Sequence, residues 1–150
     1  MRFNPDDLQV LTNFSNINQN IAFRKGSTIQ TISTMKNILC EYQMCNNEIP
    51  KDFCIYDLGE FLDIHDLFDK PEIKIKDDKV ILKDKRFTSH YPTAEKSIVV
   101  APTKSIELDN YDYQFTIRKK DIEDYLLIRK RTRNKLPDFL IQNNKGNFNF

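Results

Sequence analysis

Apolar positions near the start of the chain recur with helical spacing. Val10, Leu11, Phe14 and Ile17 fall on one arc of a helical wheel, while Gln9, Thr12, Asn13 and Asn16 recur at i, i+3, i+4 and i+7 on the other. Pro5 followed by Asp6 and Asp7 suits a helix start, where acidic groups meet the positive end of the dipole. The pattern predicts a helix whose exposed face carries amides and hydroxyls rather than charges.

The spacing then shortens to that of strands. Ile21-Ala22-Phe23 leads into a turn at Arg24-Lys25-Gly26-Ser27, Thr28 to Ser33 alternates, and Ile38 to Met44 continues as another strand. Phe53 to Tyr56 reads as a short buried strand. Asp57 opens a second helix as its N-cap, with Glu60 three residues on, a capping box with Asp in place of Ser or Thr. Leu58, Phe61, Leu62, His65 and Phe68 make its apolar stripe, and Glu60, Asp63 and Asp66 lie off it. Glu72 to Ile75 and Val80 to Lys83 flank a hairpin turn at Lys76-Asp77-Asp78-Lys79, and Arg86 to Tyr91 pairs as a further strand.

Ser97 to Asp112 reads as a connector with a short extended stretch at Ile98-Val99-Val100. Phe115-Thr116-Ile117 is expected as a strand, Lys119 to about Lys130 as a third helix, and Phe139-Leu140-Ile141 with Phe148 to Phe150 as a hairpin turning at Asn143-Asn144-Lys145-Gly146. Helix, strand, turn, strand repeats the opening order of the first half, so two related units are expected, the second incomplete. The boundaries expected are a first domain at 1–96, a connector at 97–113 and a partial second domain at 114–150.

Composition narrows the function classes. A chain of 150 residues with 39% apolar residues and eleven Phe supports a real core. No apolar run approaches the ~20 residues of a membrane-spanning helix, and the N-terminal residues lack the apolar stretch of a signal peptide, so no membrane role and a cytoplasmic location are expected. Cys40, Cys45 and Cys54 have no paired ligand spacing, so metal is discounted and buried, reduced thiols are expected. The net charge of +1 hides an asymmetry: Arg118 to Lys135 holds eight Lys/Arg against three Asp/Glu, and Asp57 to Asp84 holds five Lys against nine Asp/Glu. That division suggests a polyanion partner for one face only.

Three stretches together carry a resemblance. Leu11 to Asn18 reads L-T-N-F-x-x-I-N, Ile55 to Leu62 reads I-Y-D-L-x-x-F-L, and Val99 to Ile106 reads V-V-A-P-x-K-x-I shortly after Tyr91-Pro92. In that order and spacing the chain resembles the sliding clamps of T-even-type bacteriophages, over about Leu8 to Ile141. The resemblance implies an α+β DNA-clamp (processivity) fold with antiparallel sheets and helices on one face, and a ring of subunits, each of two similar domains. It implies no catalytic residues, no cofactor and no metal. It further implies a subunit that tethers the replicative DNA polymerase to duplex DNA, is loaded by an ATP-driven clamp loader, and supports phage late transcription. Partner tails are implied to dock in an apolar pocket near the connector, for which Val100, Pro102, Tyr111, Tyr113 and Phe115 are the candidates.

A clamp must attract phosphates without gripping bases. Gln9, Thr12, Asn13 and Asn16 suit water-mediated contact, and Lys119, Lys120, Arg129, Lys130, Arg131 and Arg133 supply positive field. Beside this stand plainer readings: the basic segment as a solvated helix face, and the connector aromatics as core. Asp57, Glu60 and Asp63 as a two-metal nuclease site is a further alternative, against which capping and solvent exposure account for the same residues. A family member would continue beyond Phe150, so a homotrimer is expected only if the second domain were complete. A monomer or weak oligomer is expected in solution. The alternative function is a clamp-fold adaptor or fragment that binds polymerase or loader tails without forming a ring.

Overall fold

Asn4 caps the first helix, α1 (Pro5–Ile17), in a reciprocal arrangement. The Asp7 amide donates to Asn4 Oδ1 at 2.8 Å, and the Asn4 amide donates to Asp7 Oδ2 at 3.1 Å. This is a capping box built from two short side chains, and it satisfies two amides that a helix start leaves without partners. Leu11 and Phe14 are buried, and Gln9, Thr12, Asn13 and Asn16 are exposed, as the wheel requires. The computed structural model describes residues 1–103 and 116–132, with the backbone of two short strands at 142–144 and 147–149. The chain divides into two units, Met1–Ile106 and Glu107–Phe150.

In the first unit four strands follow α1 and its turn: β1 (Ile21–Phe23), β2 (Thr28–Ile32), β3 (Leu39–Gln43) and β4 (Phe53–Ile55). β1 pairs antiparallel with β4, Ile21 opposite Ile55, and β2 pairs antiparallel with β3, Thr28 opposite Gln43. Gly26 joins the pairs by exchanging backbone hydrogen bonds with Ile49 at 3.0 and 2.8 Å. Its φ of +122° is a conformation open to glycine and strained for other residues.

Helix α2 (Leu58–Asp66) is capped by Asp57, whose Oδ1 accepts from the Glu60 amide at 2.9 Å. The expected reciprocal half of that box is replaced: the Glu60 carboxylate accepts from the Tyr91 hydroxyl at 2.8 Å instead. Leu58, Phe61, Leu62 and His65 are buried, which bears out four residues of the stripe and the packed histidine; Phe68, the fifth, lies past the end of the helix and is half-buried. A three-stranded antiparallel sheet follows in the order β5 (Glu72–Ile75), β6 (Lys79–Lys83), β7 (Thr88–Pro92). The two helices run antiparallel. At one end the Leu58 amide donates to the Gln19 carbonyl at 2.8 Å, and at the other the Phe3 and His65 rings lie 6.3 Å apart.

One core joins these elements. Leu11 and Phe14 from α1, Phe61 from α2, Phe23 and Ile55 from the first sheet, and Ile73, Val80 and Leu82 from the third all belong to it. Phe23 stacks on Phe53 with centroids 4.6 Å apart, and Phe61 meets Tyr91 edge-on at 5.4 Å. Such contacts add to the apolar area already removed from water.

Several expectations need correction. Ile98 ends a 3-10 turn at Lys96–Ile98 rather than opening an extended stretch; the extended backbone starts at Val99. Cys54 is buried, Cys40 is half-buried and Cys45 is exposed, so burial of all three thiols does not hold. In the second unit, helix α3 (Lys119–Arg131) has the expected position, but Thr116 and Ile117 are not in a strand. β8 (Gln142–Asn144) pairs antiparallel with β9 (Asn147–Asn149), which places Asn143 and Asn144 in the strand rather than the turn. Phe115 and Phe139 to Ile141 lie outside the described residues.

Candidate functional site

Three surfaces carry the chemistry that the sequence singles out. On α1 the exposed Gln9, Thr12, Asn13 and Asn16 present a neutral polar face. Part of it is turned inward: Thr12 Oγ1 donates to the Leu8 carbonyl at 2.9 Å, and Asn16 Nδ2 donates to the Thr12 carbonyl at 3.1 Å. The face thus offers hydrogen-bonding atoms without a fixed charge, which suits contact through water.

Two acids at the start of α2, Asp57 and Glu60, are occupied structurally, whereas Asp63 and Asp66 are exposed. Asp57 caps the helix, and its second oxygen accepts from Gln19 Nε2 at 2.6 Å, tying the end of α1 to the start of α2. Glu60 and the Asp57 carbonyl both accept from the Tyr91 hydroxyl, at 2.8 and 3.1 Å. Burial, reinforced by the Glu60 carboxylate, pushes the Tyr91 phenol well above its ordinary pKa, so it stays a donor. These roles explain Asp57 and Glu60 without a bound metal.

Helix α3 is the basic element. Arg118 forms a two-pronged pair with Asp121 at 2.8 and 2.9 Å, and Lys119 lies 3.7 Å from Glu123 one turn on. Among the described residues, Lys120, Arg129, Lys130 and Arg131 have no carboxylate within ion-pair distance. Arg129, Lys130 and Arg131 sit in the last turn, where cations stabilise the dipole, whereas Lys119 and Lys120 sit at the N-terminus, where they oppose it. Arg133 lies outside the described residues.

The connector begins under firm anchoring. Asn18, buried at the end of α1, donates through Nδ2 to the carbonyls of Ile32 and Val100, both at 2.8 Å. Arg24 donates to the Pro102 carbonyl. A cleft of 240 Å³ opens here, lined by Phe23, Arg24, Cys54, Lys96, Val99 and Pro102 among others. Of the expected pocket residues, Pro102 lines this cleft and Val100 is held beside it; Tyr111, Tyr113 and Phe115 lie outside the described residues. Burial raises the Cys54 thiol above its ordinary pKa, which keeps it protonated and a poor nucleophile. Sequence reasoning missed Phe23, Arg24, Cys54 and Lys96. The Arg24–Pro102 contact spans 78 positions, and no local pattern announces it.

Comparison with known proteins bears on these surfaces. The family profile described as DNA polymerase processivity factor matches residues 7–101. The chain is 30% identical over 132 residues to the sliding clamp of Escherichia phage RB69, covering 87% of this chain and 58% of that protein. It is 31% identical over 132 residues to the sliding clamp of Enterobacteria phage T4, covering 87% and 58%. To the sliding clamp of Vibrio phage KVP40 it is 30% identical over 129 residues, covering 82% and 57%. The chain therefore spans a little over half the length of these relatives. The profile match takes in both helices, all seven strands of the first unit and the anchored start of the connector, and the α+β arrangement of antiparallel sheets and helices fits the clamp fold. On that agreement, the chain belongs to the DNA polymerase processivity factor family.

Proposed function

We propose that this protein is a sliding-clamp subunit that tethers the replicative DNA polymerase to duplex DNA by encircling it without sequence specificity. The observation that carries this reading is the family match across the first unit together with the sliding-clamp identity of the relatives. The role is a tether rather than a catalyst: Asp57 is taken up by capping and Glu60 by Tyr91, and the exposed polar and basic faces are for binding.

Duplex DNA is contacted through its phosphates, at a distance and through water. Gln9, Thr12, Asn13 and Asn16 on α1 supply an uncharged hydrogen-bonding surface, and Lys119, Lys120, Arg129, Lys130 and Arg131 on α3 supply the field, with Arg133 continuing the run in sequence. The cost of placing Lys119 and Lys120 at a helix N-terminus is offset when phosphate lies nearby. Polymerase and clamp-loader tails dock in the cleft that Pro102 and Phe23 line, beside Val100; Tyr111, Tyr113 and Phe115 are further candidates for tail contact by sequence alone. The domain boundaries at 1–96, 97–113 and 114–150 belong to the same proposal, as does work in the cytoplasm of an infected bacterial host and support of late transcription.

The ring assembles head to tail on DNA, as a homotrimer. The other reading, an adaptor of the same fold that binds tails without closing a ring, is not favoured by the family and the names of the relatives. The test that separates them is topological: a ring stays on a closed DNA circle and leaves when the circle is cut.

A further inference from the structure

Two clefts meet at the end of the first unit remote from the connector. The connector is anchored by Asn18, at the C-terminal end of α1; the clefts lie at its N-terminal end, about 20 Å away along a helix of this length. One cleft, of 460 Å³, is largely apolar, with Phe3, Pro5, Leu8, His65 and Phe68 in its walls. The other, of 430 Å³, includes Lys83, Lys85 and Arg86 from the β6–β7 turn. Arg2, Asp69 and Lys70 line both, so the two form one groove with an apolar end and a basic end.

Of the cations at the basic end, only Arg86 has a carboxylate within ion-pair distance among the described residues, Asp84 at 4.0 Å. Asp84 has its carboxylate consumed by backbone amides, accepting from Arg86 and Phe87 at 2.7 Å each and from Asp69 at 3.2 Å. Glu72 faces Lys74 at 3.5 Å. Among the described residues, Arg2, Lys70, Lys83 and Lys85 have no carboxylate within ion-pair distance. Between the two ends, Arg86 lies 4.9 Å over the ring of Phe87, which is 55% exposed and meets Phe68 edge-on at 6.3 Å. In the wall of the apolar end, His65 is 5% exposed and its Nδ1 has no hydrogen-bond partner among the described residues, the Asp66 carboxylate standing off at 3.8 Å. A buried polar atom without a partner is uncommon and gains when one is supplied.

We propose that this groove docks a short segment of a partner protein in which one or two large apolar side chains adjoin a run of Asp or Glu. The apolar residues fill the cleft beside Phe3, Leu8 and Phe68, and the acidic run lies against Lys70, Lys83 and Lys85. Charge complementarity selects this occupant over nucleic acid. Lys83, Lys85 and Arg86 line one end only, the Asp66 carboxylate lines only the other, and a phosphate backbone has nothing to place in an apolar cleft. Because the groove and the connector cleft lie at opposite ends of α1, both are open to occupation at once. Two partners are then held on one subunit.

The test uses the whole chain and a fluorescein-labelled peptide of roughly eight residues, long enough at ~3.3 Å per residue to span both ends. The peptide carries Leu and Phe followed by Asp and Glu. One control replaces the acids with Lys, a second replaces Leu and Phe with Ser, and a third is a duplex oligonucleotide. Amide shifts confined to Arg2–Leu8, His65–Lys70 and Lys83–Phe87 are expected, with both peptide controls weaker. The Lys83→Glu/Lys85→Glu double variant should bind about tenfold more weakly, equivalent to ~1.4 kcal/mol. Phe68→Ser should also weaken binding; if it fails to fold, the double charge variant, altered only at exposed positions, decides. Equal binding of the Lys peptide, shifts centred on Val99–Thr103, or tighter capture of the oligonucleotide by the same amides would each overturn the proposal.

Discussion

Asp7 is fully buried and has no cationic partner among the described residues, yet it is well satisfied. Its carboxylate accepts from the Asn4 amide at 3.1 Å, the Tyr42 hydroxyl at 3.1 Å and Asn47 Nδ2 at 2.9 Å. The residue therefore pins the start of α1 to β3 and to the loop after it. Removing it leaves three donors without an acceptor and weakens the cap, so Asp7→Ala is expected to cost roughly 2–4 kcal/mol. Gln9→Ala on the exposed face should stay within ~0.5 kcal/mol. Urea denaturation of the two variants checks both. His65 gives a pH signature. Burial pushes its pKa below the ordinary value, and the opposing pull of Asp66 does not restore it. The unfolded chain takes up a proton near pH ~6.5 and the folded chain resists. The stability that comes from the neutral ring is thus complete above that pH and is lost as pH falls below it toward the folded pKa. The urea midpoint should fall between about pH 7.5 and 5.5 by more in the native sequence than in His65→Leu. At this scale the sequence announced an acidic helix start and a histidine on an apolar stripe. It did not announce that Asp7 is buried, because Tyr42 and Asn47 reach it from 35 and 40 positions away.

Elements were legible where the signal is local. The start of α1, the Asp57 cap of α2 and the β5–β6 turn follow from neighbouring residues, and each is found within a residue or two of its expected place. Pairing was not legible: β1 joins β4 with Phe23 opposite Phe53, and alternation says that a strand is half-buried without saying which strand lies beside it. The 3-10 turn at Lys96–Ile98 escaped for a related reason, since β-branched residues look extended wherever they stand. For α3 the informative feature is polarity. Arg129, Lys130 and Arg131 stabilise the C-terminal end of the helix, but their charge exceeds what the dipole requires. If this charge meets phosphates, the Lys130→Glu/Arg131→Glu variant should bind duplex DNA more weakly at low salt. The slope of log affinity against log salt should also shrink by about two, the number of phosphate contacts removed. An unchanged slope with unchanged affinity would make the run a solvated face. Fluorescence anisotropy over a salt series reads both quantities.

For the whole molecule, the segregation of charge along the chain was visible at once, and the family followed from three short motifs in a fixed order. What local reasoning left open is how surfaces far apart in sequence come together. The connector cleft draws on β1, on β4 and on residues 96–103, and the groove at the opposite end of α1 draws on the N-terminal segment, α2 and the β6–β7 turn. Encirclement is a property of the assembly, and no residue pattern within one chain displays it. It is most directly tested by retention on DNA. The protein is assembled with clamp loader and ATP on a nicked circular duplex, at an ionic strength high enough to abolish phosphate contacts, and the bound fraction is followed before and after the circle is cut once. Retention on the closed circle with release on linearisation is the result expected of a sliding clamp. Equal retention on circular and linear DNA, or none on either once salt removes the electrostatic attraction, would contradict encirclement and leave the tail-binding adaptor in its place.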